Sequence, residues 1–209
     1  MINIDLNKSI KINSASIFCR IEPAIEVKLK KFNQVYEHAL SALRFLRQNN
    51  SNESNQIERN KAYESLYRAS LSDFCGMEES LKLYIKDNGI KKPIVKITDS
   101  GDAVLCMLKE LRNYLIHIKE KKIDSIPQTY IFDNFTMAPE LNGKETIVNI
   151  QIIDLRLEDF LKLTNSKFYY RDDIIKMISY FNDLQNSWGI SEIIKCAVNK
   201  YSQIIIDSY

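Results

Sequence analysis

The sequence predicts a mainly α-helical protein into which one β-hairpin is inserted. Only four prolines and five glycines occur among the 209 residues, and so few helix-breaking residues favour long helices. Over most of the chain, apolar residues recur at three- and four-residue steps, which is the spacing of an amphipathic helix. Two segments typical of β-strands flank Asn142-Gly143, a dipeptide that favours a hairpin turn. We expect one domain, residues 1–209, built as an antiparallel helical bundle with the hairpin before its last helices.

The first half of the chain is predicted to form three helices, preceded by an arm or edge strand. Pro23 is at a position that tolerates proline, the first turn of the first helix. Gly76 is a place where the second helix could bend or split. Asp99 or Ser100 can cap the N-terminus of the third helix, because both side chains accept hydrogen bonds from backbone N–H groups. The predicted helices cover residues 23–48, 56–86 and 100–122.

The second half combines the hairpin with two further helices. Pro127 closes the third helix, and the pattern then changes to that of strands. Trp188-Gly189 separates the last two helices, both of which carry a clear apolar stripe. The predicted strands cover residues 129–136 and 145–155, and the predicted helices cover 172–185 and 190–206. Within the single domain we therefore distinguish a helical core at 24–122, a hairpin elaboration at 127–156 and C-terminal helices at 157–209.

Composition and charge exclude several classes of protein. Hydrophobic residues make up 45% of the chain and charged residues 27%, which excludes wholesale disorder, a disulfide scaffold and a collagen-like fibre. The net charge of +2 argues against a protein that coats nucleic acid, because such binding needs many uncompensated Lys and Arg side chains. No apolar run approaches the ~20 residues of a membrane helix, and the four cysteines are too far apart for a zinc site. We expect a cytoplasmic protein with reduced thiols, no membrane contact, no metal and no cofactor.

One cluster of residues stands out as a candidate catalytic motif. The third predicted helix contains the sequence Arg-Asn-Tyr-Leu-Ile-His at 112–117, in which one of only two histidines follows an arginine by five positions. Helix geometry places Asn113 and His117 about 40° apart on one face, which Lys109 and Glu110 share. Arg112 is about 140° from His117, so one helix does not direct both groups at one point. A neighbouring element or a second copy of the helix is expected to complete the site.

The motif and its helical setting resemble the HEPN superfamily. Members of that family are helical domains with an Arg-x4–6-His motif, often with Asn directly after the Arg, as in Arg112-Asn113-x-x-x-His117 here. The resemblance covers about residues 24–122 and leaves the hairpin and the C-terminal helices outside it. It implies a metal-independent ribonuclease of a toxin or anti-phage defence system. It also implies a homodimer in which the motifs of both chains meet in one cleft, and an antitoxin or nucleotidyltransferase as a further partner.

The chemistry of RNA cleavage fits these residue types. Without a metal, the ribose 2′-OH attacks the phosphate and leaves a 2′,3′-cyclic phosphate end. This reaction needs a base, an acid and a cation. Histidine titrates near pH 6.5 and can serve as base or acid, while Arg offers a fixed fork of donors to phosphate oxygens. We assign catalysis to Arg112, His117 and Asn113. A two-fold dimer would supply a second His117, since His38 lies far away in the sequence and is expected to be structural or exposed.

The sequence also allows weaker site assignments and alternatives to the ribonuclease interpretation. Basic residues near the motif could contact RNA phosphates, and an acidic residue could orient His117. These candidates are Lys109, Lys119 and Lys121 for phosphate and Glu79 and Glu110 for the orienting acid. His117 could instead only satisfy the last carbonyls of its helix, and Arg112 could form a salt bridge with another helix. The alternative function is a non-catalytic helical dimer that acts as a binding or scaffold subunit. A weaker one is a nucleotide-binding module paired with a nucleotidyltransferase.

Overall fold

The protein is mainly α-helical, which confirms the predicted class. The computed structural model describes residues 1–12, 20–47, 56–117, 123–132 and 143–209. Two short 3-10 helices, Ile97–Ser100 and Thr164–Phe168, accompany the α-helices. The α-helices are α1 (Pro23–Leu29), α2 (Asn33–Arg47), α3 (Gln56–Asp87), α4 (Ala103–His117), α5 (Leu157–Leu161) and α6 (Arg171–Ser208). The strands are β1 (Ile123–Phe132) and β2 (Gly143–Ile152).

The first predicted helix is divided into α1 and α2. A turn at residues 30–32 separates them, although the apolar spacing runs through it without interruption. Leu29 and Phe32 are both fully buried, and the Phe32 ring packs edge-on against Tyr84 of α3 at a centroid distance of 4.9 Å. The sequence pattern does not reveal this turn, because the buried side chains within it keep the three-residue spacing that is typical of a helix.

The second predicted helix is confirmed, and the start of the third is corrected. The helix α3 continues through Gly76 without a break. Ser100 and Asp99 belong to the preceding 3-10 helix, and Asp102 is the residue that caps α4. Its Oδ1 accepts hydrogen bonds from the backbone N–H groups of Val104 at 2.8 Å and Leu105 at 3.1 Å. The helix ends at His117 in the described part of the chain, and residues 118–122, with Lys119 and Lys121, lie outside it.

The centre of the fold is the N-terminal half of α4. Every side chain from Ala103 to Leu108 is buried, so protein surrounds this part of the helix on all sides. The helices α3, α5 and α6 pack against α4, and α6 also packs against α1, α2 and β2. One hydrophobic cluster joins these elements. The last helix reaches both ends of this cluster because it changes direction at Gly189, whose φ of 73° and ψ of 164° are not helical.

The two strands form an antiparallel ladder that is fastened to the last helix. The register pairs Ile123 with Ile152, and the strands begin and end earlier than the sequence predicted. Pro127, expected to close the third helix, lies within β1, where a two-stranded ladder leaves one backbone edge free of partners. The side chain of Gln185 donates to the carbonyl of Ile152 at 2.8 Å and accepts from its N–H at 3.0 Å. The connection at 133–142, with the predicted Asn142 turn, lies outside the described residues.

None of the helices in the described ranges combines the length and the apolar character that a membrane span requires.

We predict that Gly189→Ala lowers the free energy of unfolding by about 1–3 kcal/mol. Only glycine readily adopts the backbone conformation at this position, so a Cβ introduces strain. Denaturant titration of wild type and variant measures the change. Gly89→Ala is the matched control, because Gly89 has a φ of 62° in open surroundings, where a side chain costs about 1–2 kcal/mol. Destabilisation of Gly189→Ala by less than about 1 kcal/mol would contradict the strained break.

We also predict that Asp102→Ala destabilises the protein by about 2 kcal/mol. The substitution removes the cap of α4 and leaves the ammonium of Lys200, 2.6 Å from the buried Oδ2, without its partner. Asp102→Asn keeps an oxygen for the cap and loses only the charge. We expect Asn to be tolerated better than Ala in denaturant titrations, and the reverse order would show that the cap is unimportant.

Candidate functional site

A cavity of about 1130 Å³ opens between α3, α4 and the segment that follows β2. One wall is the face of α3 that carries Ser72, Cys75, Gly76 and Glu79. Side chains one turn apart on α4 form a second wall. The segment around α5 forms the third. The residues of the second wall are Lys109, Arg112 and Asn113. The residues of the third wall are Arg156, Asp159, Lys162, Leu163, Thr164 and Asn165.

Two of the three predicted catalytic residues line this cavity. Arg112 is exposed, and its Nη1 donates to Asn113 Oδ1 at 3.1 Å. Within the described ranges, no carboxylate forms an ion pair with the Arg112 guanidinium, so its remaining N–H donors face the cavity and solvent. The third predicted residue, His117, is the last residue of α4, and its side chain lies outside the described part of the chain. The structure thus places Arg112 and Asn113 at the same cavity. The predicted angle of about 140° around the helix is the angle between Arg112 and His117.

Lys109, a predicted phosphate contact, lines the cavity with its charge already paired. Its Nζ donates to both carboxylate oxygens of Glu78, at 2.8 and 2.9 Å. Glu78 is buried and also accepts a hydrogen bond from the backbone N–H of Ile97 at 2.7 Å. This carboxylate therefore ties α3 to α4 and to the chain before α4. A buried pair of this kind fixes a geometry and leaves less free positive charge for a ligand.

The two predicted orienting acids have different surroundings. Glu79 is exposed and lines the cavity from α3. Glu110 is buried behind the cavity wall, where its Oε1 accepts from the Tyr169 hydroxyl at 3.2 Å and from Asn165 Nδ2 at 3.4 Å. Burial raises the pKa of Glu110 above its ordinary value of 4.5, and the hydrogen bonds from Tyr169 and Asn165 oppose that rise. Glu110 thus holds Asn165, a cavity residue, in place.

Sequence reasoning missed the third wall of the cavity. Arg156 and Lys162 bring two further cations to the site. Each has an acidic neighbour, because Arg156 contacts Asp154 at 2.6 Å and Lys162 contacts Asp159 at 3.0 Å. No local motif distinguishes these residues, and only the packing of α5 against α4 and α6 brings them opposite Arg112. Among the described cavity residues, Arg112 is therefore the cation whose charge no carboxylate balances.

Cys75 is the thiol of this site, and its side chain is partly buried. Burial raises the pKa of Cys75 to about 12, although the positive charges of Lys109 and Arg112 oppose the rise. The thiol is therefore neutral near pH 7, and a nucleophilic role is disfavoured because the thiolate is the reactive form. The described ranges contain no group of three or more His, Cys, Asp or Glu side chains that could hold a metal ion.

Comparison of the chain with family models, with curated proteins and with solved structures found no match. The resemblance of Arg112-Asn113-x-x-x-His117 to the HEPN motif therefore stays a prediction.

We predict that Glu110→Gln removes a loss of folding stability that the wild type shows as the pH rises. The folded pKa of Glu110 lies above the ordinary 4.5, so between these two values the folded state binds more protons than the unfolded state. Stability from this group is present below pH 4.5 and is lost as the pH rises through the folded pKa. Unfolding free energies of wild type and Glu110→Gln, measured from pH 4 to pH 8, should diverge in favour of the variant as pH rises. A constant difference would contradict the raised pKa.

Proposed function

We propose that the protein is a metal-independent endoribonuclease that cleaves RNA by attack of the ribose 2′-OH. The observation that carries the proposal is the position of Arg112. Its guanidinium lines a cavity large enough for a nucleotide, has Asn113 beside it and has no carboxylate partner among the described side chains. His117 follows one turn later on the same helix, at its end.

The reaction assigns a role to each of these residues. Arg112 binds the non-bridging oxygens of the scissile phosphate, where negative charge builds up as the 2′-oxygen attacks. The Asn113 amide oxygen accepts a hydrogen bond from the guanidinium and holds it in position. His117 transfers a proton, because imidazole is the side chain that exchanges protons near neutral pH. The products are a 2′,3′-cyclic phosphate and a free 5′-hydroxyl.

Two proton-transfer groups are needed, one for the 2′-OH and one for the leaving 5′-oxygen. Two sources of the second group are open to this chain. A two-fold homodimer would bring a second His117 to the site, as the resemblance implies. The other source is a second histidine of the same chain. Both versions retain Arg112 as the phosphate-binding cation.

The biological setting that we propose follows from the resemblance. A ribonuclease of this type would act on cytoplasmic RNA as a toxin or an anti-phage defence effector. An antitoxin, or a nucleotidyltransferase, would be the partner that restrains it. Cleavage in the absence of that partner is expected to arrest growth, and co-expression with it is expected to restore growth.

Cleavage of single-stranded RNA in the presence of EDTA tests the proposal. We expect Arg112→Gln to reduce the rate by about 10²–10³-fold, because a donor to the charged transition state is lost. His117→Gln should reduce it by about 10²–10⁴-fold through loss of proton transfer. Liquid chromatography and mass spectrometry of the products should detect 2′,3′-cyclic phosphate ends.

Arg171→Gln is the matched control, because Arg171 is an exposed arginine that does not line the cavity. It should cleave RNA at the wild-type rate, and all variants should keep the helical circular dichroism of the wild type. Equal rates in Arg112→Gln and wild type, or cleavage only after addition of a divalent metal, would contradict the mechanism. Absence of cleavage together with retained RNA binding would favour the non-catalytic binding subunit.

A further inference from the structure

The second histidine of the chain, His38, packs against Gly76, which is one of the residues that line the cavity, while His38 itself is not a lining residue. His38 of α2 forms a hydrogen bond through Nδ1 to Oδ1 of Asp73 of α3, at a distance of 2.8 Å. The His38 side chain is 38% exposed and the Asp73 side chain 23%, so the pair reaches solvent while α2 and α3 hold it. Sequence separation set His38 apart from the motif, and the packing of α2 against α3 brings it to Asp73 and Gly76 of α3.

The hydrogen bond to Asp73 determines what His38 can do. An ionised carboxylate only accepts hydrogen bonds, so Nδ1 of His38 carries the hydrogen in the neutral ring. Nε2 is then unprotonated and can accept a proton from another group. Once Nε2 is protonated, the negative charge of Asp73 stabilises the imidazolium. This is the arrangement of a general base with an orienting carboxylate.

Gly76 makes room for the His38 ring at the cavity wall. A Cβ at position 76 would lie 2.7 Å from Nδ1 and 2.8 Å from Cε1 of His38, which is closer than two such atoms can approach. Gly76 also lines the cavity that Arg112 and Asn113 border from α4. Because residue 76 has no side chain, none at that position separates the imidazole from the cavity. Glycine destabilises the interior of a helix, and the close packing of His38 explains why it is present in the middle of α3.

We propose that His38, oriented by Asp73, is the general base of the ribonuclease reaction. This inference rests on the proposed function and supplies its second proton-transfer group from the same chain. The proton of the ribose 2′-OH passes to Nε2 of His38, and the 2′-oxygen forms a bond to phosphorus. The bond between phosphorus and the 5′-oxygen breaks, and that oxygen takes a proton from protonated His117. Proton exchange with water then restores both histidines.

The charged groups near the base agree with this role. Asp73 is the acidic side chain that is hydrogen-bonded to the ring, and Glu79 lies six residues further along α3, on the wall of the cavity. Arg112 approaches the cavity from α4 with a phosphate-binding positive charge. In the proposed reaction the base approaches from Gly76 on the α3 wall and the cation from the α4 wall, and the ribose and its phosphate lie between them.

Three variants and one control test the inference by metal-free RNA cleavage. His38→Asn keeps a donor for Asp73 but has no group in place of Nε2, and we expect kcat to fall by about 100-fold or more. Asp73→Asn, which removes the orienting charge, and Gly76→Ala, which displaces the ring without removing a titratable group, should each lower kcat by at least about 10-fold. Glu37→Gln, which removes an exposed carboxylate next to His38 in the sequence, should leave kcat unchanged.

The pH profile separates proton transfer from a merely structural role. A base must be unprotonated, so the wild-type rate should rise with pH on the acid side of its optimum. That rise should disappear in His38→Asn and remain in Glu37→Gln. Cleavage by His38→Asn with the wild-type kcat and pH profile would overturn this inference and leave the proposed ribonuclease standing. Absence of cleavage by the wild type would overturn both.

A spectroscopic measurement on the wild-type protein covers the case in which a variant does not fold. The chain has only two histidines, so the ring resonances of His38 can be assigned by comparison with a His117→Gln spectrum. A 2′-deoxy tetranucleotide lacks the nucleophile and binds without being cleaved. We expect it to move the His38 resonances in the wild type but not in Arg112→Gln. Unchanged His38 resonances at saturating probe would overturn the assignment.

Discussion

The fold depends on the complete burial of the N-terminal half of α4. Every side chain from Ala103 to Leu108 is buried, and α3, α5 and α6 all pack against α4. A helix that begins inside the protein must have its free N–H groups satisfied, because no water reaches them. Asp102 does this for Val104 and Leu105, and Ser9 does it for Ala103 at 2.8 Å. These caps allow α4 to start in the core and to run outward.

The cavity forms where α4 emerges from its surroundings. Lys109, Arg112 and Asn113 are the polar side chains on the side of α4 that α3 and α5 leave open. The buried Glu78 carboxylate fixes the spacing of α3 and α4 through Lys109, while Glu110 fixes the far wall through Asn165 and Tyr169. Paired charges thus build the walls. No carboxylate of the described residues pairs with the guanidinium of Arg112, which is left for a ligand with negative charge, and this division between structural and available charge underlies the proposed activity.

Much of the fold was accessible from the sequence because helix signals are local. Apolar periodicity identified α3, the buried stripe of α4 and both halves of α6, and Gly189 marked the change of direction. The predictions were wrong where one sequence pattern is compatible with two different structures. The turn between α1 and α2 keeps the helical spacing of Leu29 and Phe32. Asp99, Ser100 and Asp102 are all good caps, and only the position of the 3-10 helix decides that Asp102 serves α4.

For the candidate site, the sequence by itself determined Arg112 and Asn113, because their spacing on one helix is a local property. It also indicated Glu79 and Lys109, although not that Lys109 is neutralised by Glu78. Tertiary structure alone decided the rest. Arg156, Lys162 and Asn165 reach the cavity only through the packing of α5 and the chain after it. His38 packs against Gly76 of the cavity wall because this glycine, in the middle of a long helix, lets α2 and α3 approach closely enough for the imidazole to meet Asp73. Contacts between segments that are distant in sequence depend on how whole helices pack, and no local sequence pattern specifies the distance between two packed helices.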